Sequence, residues 1–156
     1  MKKEVKLIIA LVVIAVIAIG VISYFVGRGA GRDEFLPEEK ELPDNTSQTD
    51  SIAENLLHSL NNNDYSSFSK DFSNNLKLIM NQQTFQQTKS LIDETSGQYL
   101  SKAEPSLYEY QGYDLYQYPC TFEKEAVALS IYFQPNSILL EGLTFDSENL
   151  RAAVQQ

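Results

Sequence analysis

Glu125-Ala-Val-Ala-Leu-Ser-Ile-Tyr-Phe-Gln134 is the stretch that decides the fold. Val127, Leu129, Ile131 and Phe133 fall on one side of a two-residue period, and Ala126, Ala128, Ser130 and Tyr132 on the other. Side chains alternate across a strand, so this reads as a β-strand with one strongly apolar face. Upstream, Tyr113 to Glu123 keeps the same period, with Tyr116, Tyr118, Cys120 and Phe122 opposing Leu115, Gln117 and Thr121. Leu107 to Tyr110 is a shorter strand that the Gln111-Gly112 pair turns back on itself. Pro119 lacks an N–H, which predicts an edge or a bulge. Downstream, Pro135-Asn136 turns the chain into a last strand, Ser137 to Phe145. It carries Leu139, Leu143 and Phe145 on one face and Ile138 and Leu140 on the other. Asp146 then reads as the cap of a short helix through Val154.

Before Gly97 the period is 3.6. Ser51-Ile-Ala-Glu54 matches a capping box, so a helix is expected over Ser51 to Asn61, with Ile52, Leu56, Leu57 and Leu60 on its buried face. Asn61-Asn62-Asn63 stops it. Asp64 caps a second helical piece with Tyr65, Phe68 and Phe72 inward, and Leu76, Ile79 and Met80 continue a turn after Ser73. A third helix starts near Thr84, buries Phe85, Leu91 and Ile92, and ends at Gly97 in an αL cap. Helices followed by a meander of antiparallel strands give an α+β domain, with three helices covering one face of a twisted sheet.

Leu56-Leu57, Asn62 to Phe68, Phe72-Ser73 and Leu76 belong to one pattern with Phe122-Glu123-Lys124, Val127, Leu129, Phe133 and Gly142-Leu143-Thr144-Phe145. Over about residues 50 to 148, this pattern resembles the domain-of-unknown-function 3887 family. The resemblance implies a nuclear transport factor 2-like (cystatin-like) cone, in which helices pack into the concave side of a curved antiparallel sheet. It also implies an accessory or ligand-binding module, sometimes attached to hydrolases. Enzymes on that fold, such as ketosteroid isomerases, use pocket Asp and Tyr residues, and no motif here carries those roles over.

Further out lies Leu7 to Val26, twenty residues without a charge. At about 1.5 Å per residue they reach roughly 30 Å, the hydrocarbon thickness of a bilayer. The stretch has no polar face, so a transmembrane helix is expected. The chain then divides into a cytoplasmic tail (1–6), a single span (7–26), a flexible acidic linker (27–49) and the domain (50–156). Lys2, Lys3 and Lys6 precede the span, and Arg28 and Arg32 follow it. That bias favours a cell-membrane protein with its N-terminus in the cytoplasm and its domain outside. The apolar core is longer than that of a cleaved signal peptide, although Gly27, Gly29, Ala30 and Gly31 leave a small-residue cleavage site open. A lipoprotein cysteine is missing. The linker, Asp33 to Thr49, is rich in carboxylates and proline and is expected to be an extended stalk. Asn45-Thr46-Ser47 is a glycosylation sequon.

Charge narrows the partners. Residues 33 to 156 hold seven basic against twenty acidic side chains, a net −13. Such a surface repels nucleic acid and anionic headgroups, so no nucleic-acid partner is expected. Cys120 has no partner in the chain and reads as a buried strand residue. His58 stands alone, and the Asn61–Asp64 cluster lacks the glycine and terminal glutamate of a calcium loop. Nucleophile, zinc and phosphate-loop signatures are absent, so no catalytic residue, cofactor or metal is expected.

Two functions follow as expectations. The first is a membrane-anchored, extracytoplasmic, non-catalytic module that binds a small ligand or a protein partner, or pairs as a homodimer. Tyr110, Tyr116, Tyr118 and Tyr132 would line the mouth of its cone; the plainer reading is tyrosines that pack with wet hydroxyls. The second is a small isomerase- or dehydratase-type enzyme, which needs an inward carboxylate beside a tyrosine. Glu109, Asp114, Glu123, Glu125 and Glu141 are the strand carboxylates available for that role.

Overall fold

The computed structural model describes residues 37–44 and 46–155. The apolar stretch 7–26, its flanks and Asn45 lie outside the described residues, and no described helix is long and apolar enough to cross a membrane. The described chain is α+β. Strand β1 (Glu38–Lys40) comes first, followed by helices α1 (Ser47–Asn62), α2 (Tyr65–Phe68), α3 (Asn74–Ile79) and α4 (Gln82–Thr95). Strands β2 (Tyr99–Lys102), β3 (Ser106–Tyr110), β4 (Tyr113–Phe122), β5 (Ala126–Phe133) and β6 (Leu140–Asp146) follow, then helix α5 (Glu148–Val154). The sheet runs β1-β3-β4-β5-β6, every pair antiparallel, and β2 joins β4 end to end with β3.

The strand that decides the fold behaves as its alternation predicts. Val127, Leu129, Ile131 and Phe133 are all buried, and they meet Leu56, Leu57, Leu60, Phe68, Phe85 and Ile92 from the helices in one core. Capping sets the helix boundaries. Asp64, Ser73 and Asn81 each accept a backbone N–H from the first turn of α2, α3 and α4. Asn63 closes α1 in the αL conformation, and Gly97 (φ 79°) carries the chain out of α4, its N–H donating to the Ile92 carbonyl. A Cβ on Gly97 would lie 2.6 Å from Glu123 Oε2, so glycine is required on steric grounds as well.

Six expectations change. Helix α1 starts at Ser47, so Ser51 is interior and its hydroxyl donates back to the Ser47 carbonyl at 2.7 Å; Asp50 takes the first-turn position that favours a carboxylate. The stalk is shorter than expected, because Glu38–Lys40 pairs with β3 and Lys40 bridges Asp114 at 3.0 Å and Glu109 at 3.5 Å. Pro119 lies in the central strand. Its carbonyl accepts from Ala103 at 2.8 Å, beyond the end of β2, so its missing N–H points at the break between β2 and β3. The last strand starts at Leu140. A register shift at Glu141 puts Leu140 and Leu143 in the same core and leaves Ile138 and Leu139 exposed. Finally, Ser147 caps α5 in place of Asp146, which pairs with Arg151 at 3.3 Å. Ile79, expected inward, is exposed.

Candidate functional site

The four tyrosines expected at one mouth divide between two faces of the sheet. Tyr116 lies across from Ile131, and Tyr118 across from Leu129, so both share the helix-covered face. Tyr132 lies across from Leu115, and Tyr110 across from Tyr113, which places them on the opposite face. Strand register, which residue alternation alone does not give, makes this division. The structure therefore brings together Tyr116 with Tyr118, and Tyr110 with Tyr132, but not the four.

On the helix face the polar groups form a seam between α1 and the β2–β4 edge. Tyr118 is fully buried, and its hydroxyl donates to Asp50 Oδ1 at 2.9 Å. Asp50 also accepts from the Thr46 hydroxyl at 2.9 Å and faces Lys102 Nζ at 3.7 Å. The same ammonium sits 4.9 Å above the Tyr118 ring. One helical turn on, Glu54 accepts from the Tyr99 hydroxyl at 3.1 and 3.2 Å and faces His58 Nε2 at 2.9 Å. His58 is mostly exposed and meets the Tyr99 ring edge-on. Asp50, Glu54 and His58 thus use i, i+4 and i+8 to present one row of α1 to the sheet.

Burial pushes the phenols of Tyr118 and Tyr99 well above their ordinary range, and Asp50 and Glu54 push the same way. The Thr49 hydroxyl works against this at Tyr118. A phenol that donates to an anion keeps its proton, so both tyrosines are fixed donors. Cys120 lies on the same face, buried, with its thiol pushed up to about 11 by burial. That holds it as a thiol and removes it as a nucleophile at neutral pH. Tyr116 packs edge-on against Phe133, with ring centroids 6.0 Å apart.

The opposite face carries a small cluster of Tyr110, Leu115 and Tyr132, flanked by Tyr108 and Tyr113. Gln111 Nε2 donates to the Tyr110 hydroxyl at 3.1 Å. Tyr132 is 4% exposed, and its hydroxyl has no hydrogen-bond partner among the described residues. Burial raises its pKa first and the Tyr110 phenol adds to this; the Thr144 hydroxyl pulls slightly down, but its geometry falls short of a hydrogen bond.

The strand carboxylates serve elsewhere. Glu109 and Asp114 share Lys40 at the sheet edge. Glu123 accepts from the Gln98 amide at 2.9 Å. Glu125 accepts from the Ser96 hydroxyl at 2.5 Å, the Ser147 hydroxyl at 2.7 Å and the Asn149 amide at 3.2 Å, joining the end of α4 to the start of α5. Glu141 occupies the irregularity of β6. The carboxylates that meet buried phenols come instead from α1, themselves partly exposed, and the Asp50–Glu54–His58 spacing is the signal in the sequence that marks them. Among the described residues no group of three or more His, Cys, Asp or Glu side chains is arranged to hold a metal ion.

Neither the curated proteins nor the solved structures contain a match to this chain. A family model described as "Protein of unknown function (DUF3887)" matches residues 53–140, from within α1 to the first residue of β6 and more than half of the chain, so the chain belongs to that family.

Proposed function

We propose that the chain is a membrane-tethered, extracytoplasmic, non-catalytic binding or interaction module, with its helices and sheet arranged as a nuclear transport factor 2-like cone. The observation that carries this reading is the shortness of the tether. Strand β1 is stitched to β3 over Glu38–Lys40 and clamped by Lys40 to Asp114 and Glu109. Only residues 27–36 separate Pro37 from the end of the uncharged stretch 7–26. Ten extended residues reach at most about 36 Å, so a span at 7–26 keeps the domain beside the bilayer. The inward phenols tied to Asp50 and Glu54 support a binding scaffold over a proton-transfer site, since their protons are committed to anions. Carbonate extraction of membranes from cells expressing the full-length chain tests the tether. The chain stays in the pellet, and deletion of residues 7–26 releases it. Release of the intact chain by carbonate contradicts the reading.

The isomerase- or dehydratase-type alternative has one observation in its favour, the two tyrosine–carboxylate pairs within hydrogen-bond distance. It requires a ligand to displace one of those bonds. Titration of a steroid-like carbonyl compound into the full chain, followed by amide shifts at Asp50 and Tyr118, tests it; no shift at saturation excludes that substrate class.

A further inference from the structure

One end of the sheet gathers features that the tether alone does not use. Glu38, Glu109, Asp114, Phe133 and Leu140 are successive partners and form one row across the sheet. Beyond this row lie the point where the chain enters at Pro37, the Gln111-Gly112 turn and the loop 134–139. Ile138 and Leu139 on that loop are 58% and 47% exposed. The Leu140 amide donates to the Asp71 carbonyl at 2.8 Å, and the Ser73 amide to the Leu140 carbonyl at 2.9 Å, which docks the start of α3 against the same corner. Helix α3 exposes Leu78 and Ile79 at 77% and 53%. Four of the six exposed large apolar side chains of the described residues therefore belong to one loop and the helix joined to it.

Local charge departs from the acidic whole. Between Asp71 and Asp93 there is no acidic residue; Lys77 is exposed in that interval, Lys89 is paired with Asp93 at 2.6 Å, and the loop 134–139 has no charge at all. Lys70, exposed, adjoins the same corner and faces Asp71 at 3.9 Å, so the pair adds no net charge there. Of the acidic residues in the row, Asp114 lies two strand spacings from β6, roughly 10 Å, and Glu109 three, and both face Lys40; those of β1 lie four spacings away, roughly 19 Å. The overall net charge predicts a domain that stands off a membrane, and this corner is the exception to it.

We infer that this end of the domain faces the bilayer, with Ile138 and Leu139 of the β5–β6 loop and Leu78 and Ile79 of α3 seated in the lipid headgroup region. The inference rests on the proposed tether. The occupant is a lipid surface because the chain leaves the domain at this end and its reach of about 36 Å brings the corner to the membrane. Aliphatic side chains beside the exposed Lys77 suit that depth, where apolar atoms leave water and an ammonium group meets phosphate.

The chain contains no tryptophan, so single reporters have no background. Full-length Leu139→Trp, Leu78→Trp and Leu100→Trp are reconstituted into vesicles of phosphatidylcholine and phosphatidylglycerol, with or without bromine on the acyl chains. Leu100 is 61% exposed on β2, which pairs with the far end of β4, and serves as the reference. For side chains about 5–10 Å into the interface, emission at positions 139 and 78 falls about twofold with the brominated lipid, and emission at 100 is unchanged. Flotation of the same vesicles reports the tether separately. A chain that floats with unquenched reporters at 139 and 78 overturns the docking and leaves the tether standing. A chain that does not float overturns both. Blue-shifted, unquenched emission together with a crosslinked dimer assigns the corner to a second copy and also overturns the inference.

Discussion

On the helix face of the sheet, Tyr118 and Tyr99 donate their hydroxyl protons to Asp50 and Glu54 on α1. On the opposite face, Tyr132 is buried almost as deeply, and its hydroxyl meets no acceptor among the described residues. The same side chain is a tie on one face and an unmet donor on the other. The inward phenols fasten the first helix to the sheet, and the large apolar core lies beneath them. The outer cluster packs three buried residues on a patch to which no described helix contributes a core residue. Burial alone therefore does not identify a binding residue in this molecule; the partner of each polar tip does.

The largest contrast should come from aliphatic truncation. Leu129→Ala opens the main core at a fully buried position and should cost about 2–5 kcal/mol in urea denaturation. Leu115→Ala, in the three-residue outer cluster, should cost less; equal losses would mean that the outer cluster is as cohesive as the core. Removing single hydroxyls sharpens the comparison. Tyr118→Phe deprives Asp50 of one donor and should destabilise by about 1–2 kcal/mol. Tyr132→Phe removes an unsatisfied donor and should be neutral or stabilising by up to about 1 kcal/mol. Destabilisation of similar size by both substitutions would show that Tyr132 has an acceptor after all.

Smaller effects test the caps and the titration. Asp64→Ala should destabilise measurably but less than the core truncations, because Asp64 accepts from the Ser67 amide and hydroxyl at the start of α2. Those two bonds hold its carboxyl below the ordinary range. This contribution is present above the unfolded value of 3.8 and is lost as pH falls through the lower folded value. The deficit of Asp64→Ala should therefore shrink in strong acid. At the alkaline end, Tyr99, Tyr118 and Tyr132 are all raised above 10.0. Their contribution is whole below the unfolded value and declines as pH climbs from there toward the folded values. An ultraviolet titration of the native chain should show these three ionising only well above the ordinary tyrosine range or on unfolding.

Much of this architecture was legible in the sequence, for definite reasons. Strand β5 was legible because both its alternation and its apolar face are unbroken. The cap residues Asp64 and Gly97 were legible because each uses chemistry suited to its backbone position. Strand β1 was not: Glu-Glu-Lys has no apolar face, and backbone pairing with charges across the edge holds it. Strand β2 hid because Tyr99 is buried beside an exposed Leu100. The Glu141 irregularity reversed the expected parity of Leu139 and Leu140, since one added residue moves every later side chain to the other face. For the candidate site, alternation within β4 was read correctly for Tyr116 and Tyr118. The grouping with Tyr110 and Tyr132 failed because it needed the register between strands. The Asp50–Glu54–His58 row escaped because α1 begins one turn before the capping box that appeared to start it.

The account depends most on where the domain is held. Protease added to intact cells expressing the full-length chain, with the domain followed by antibody and a cytoplasmic protein as the integrity control, measures this directly. The account predicts that the domain is digested while the control survives. A domain that is spared until the cells are lysed would contradict it.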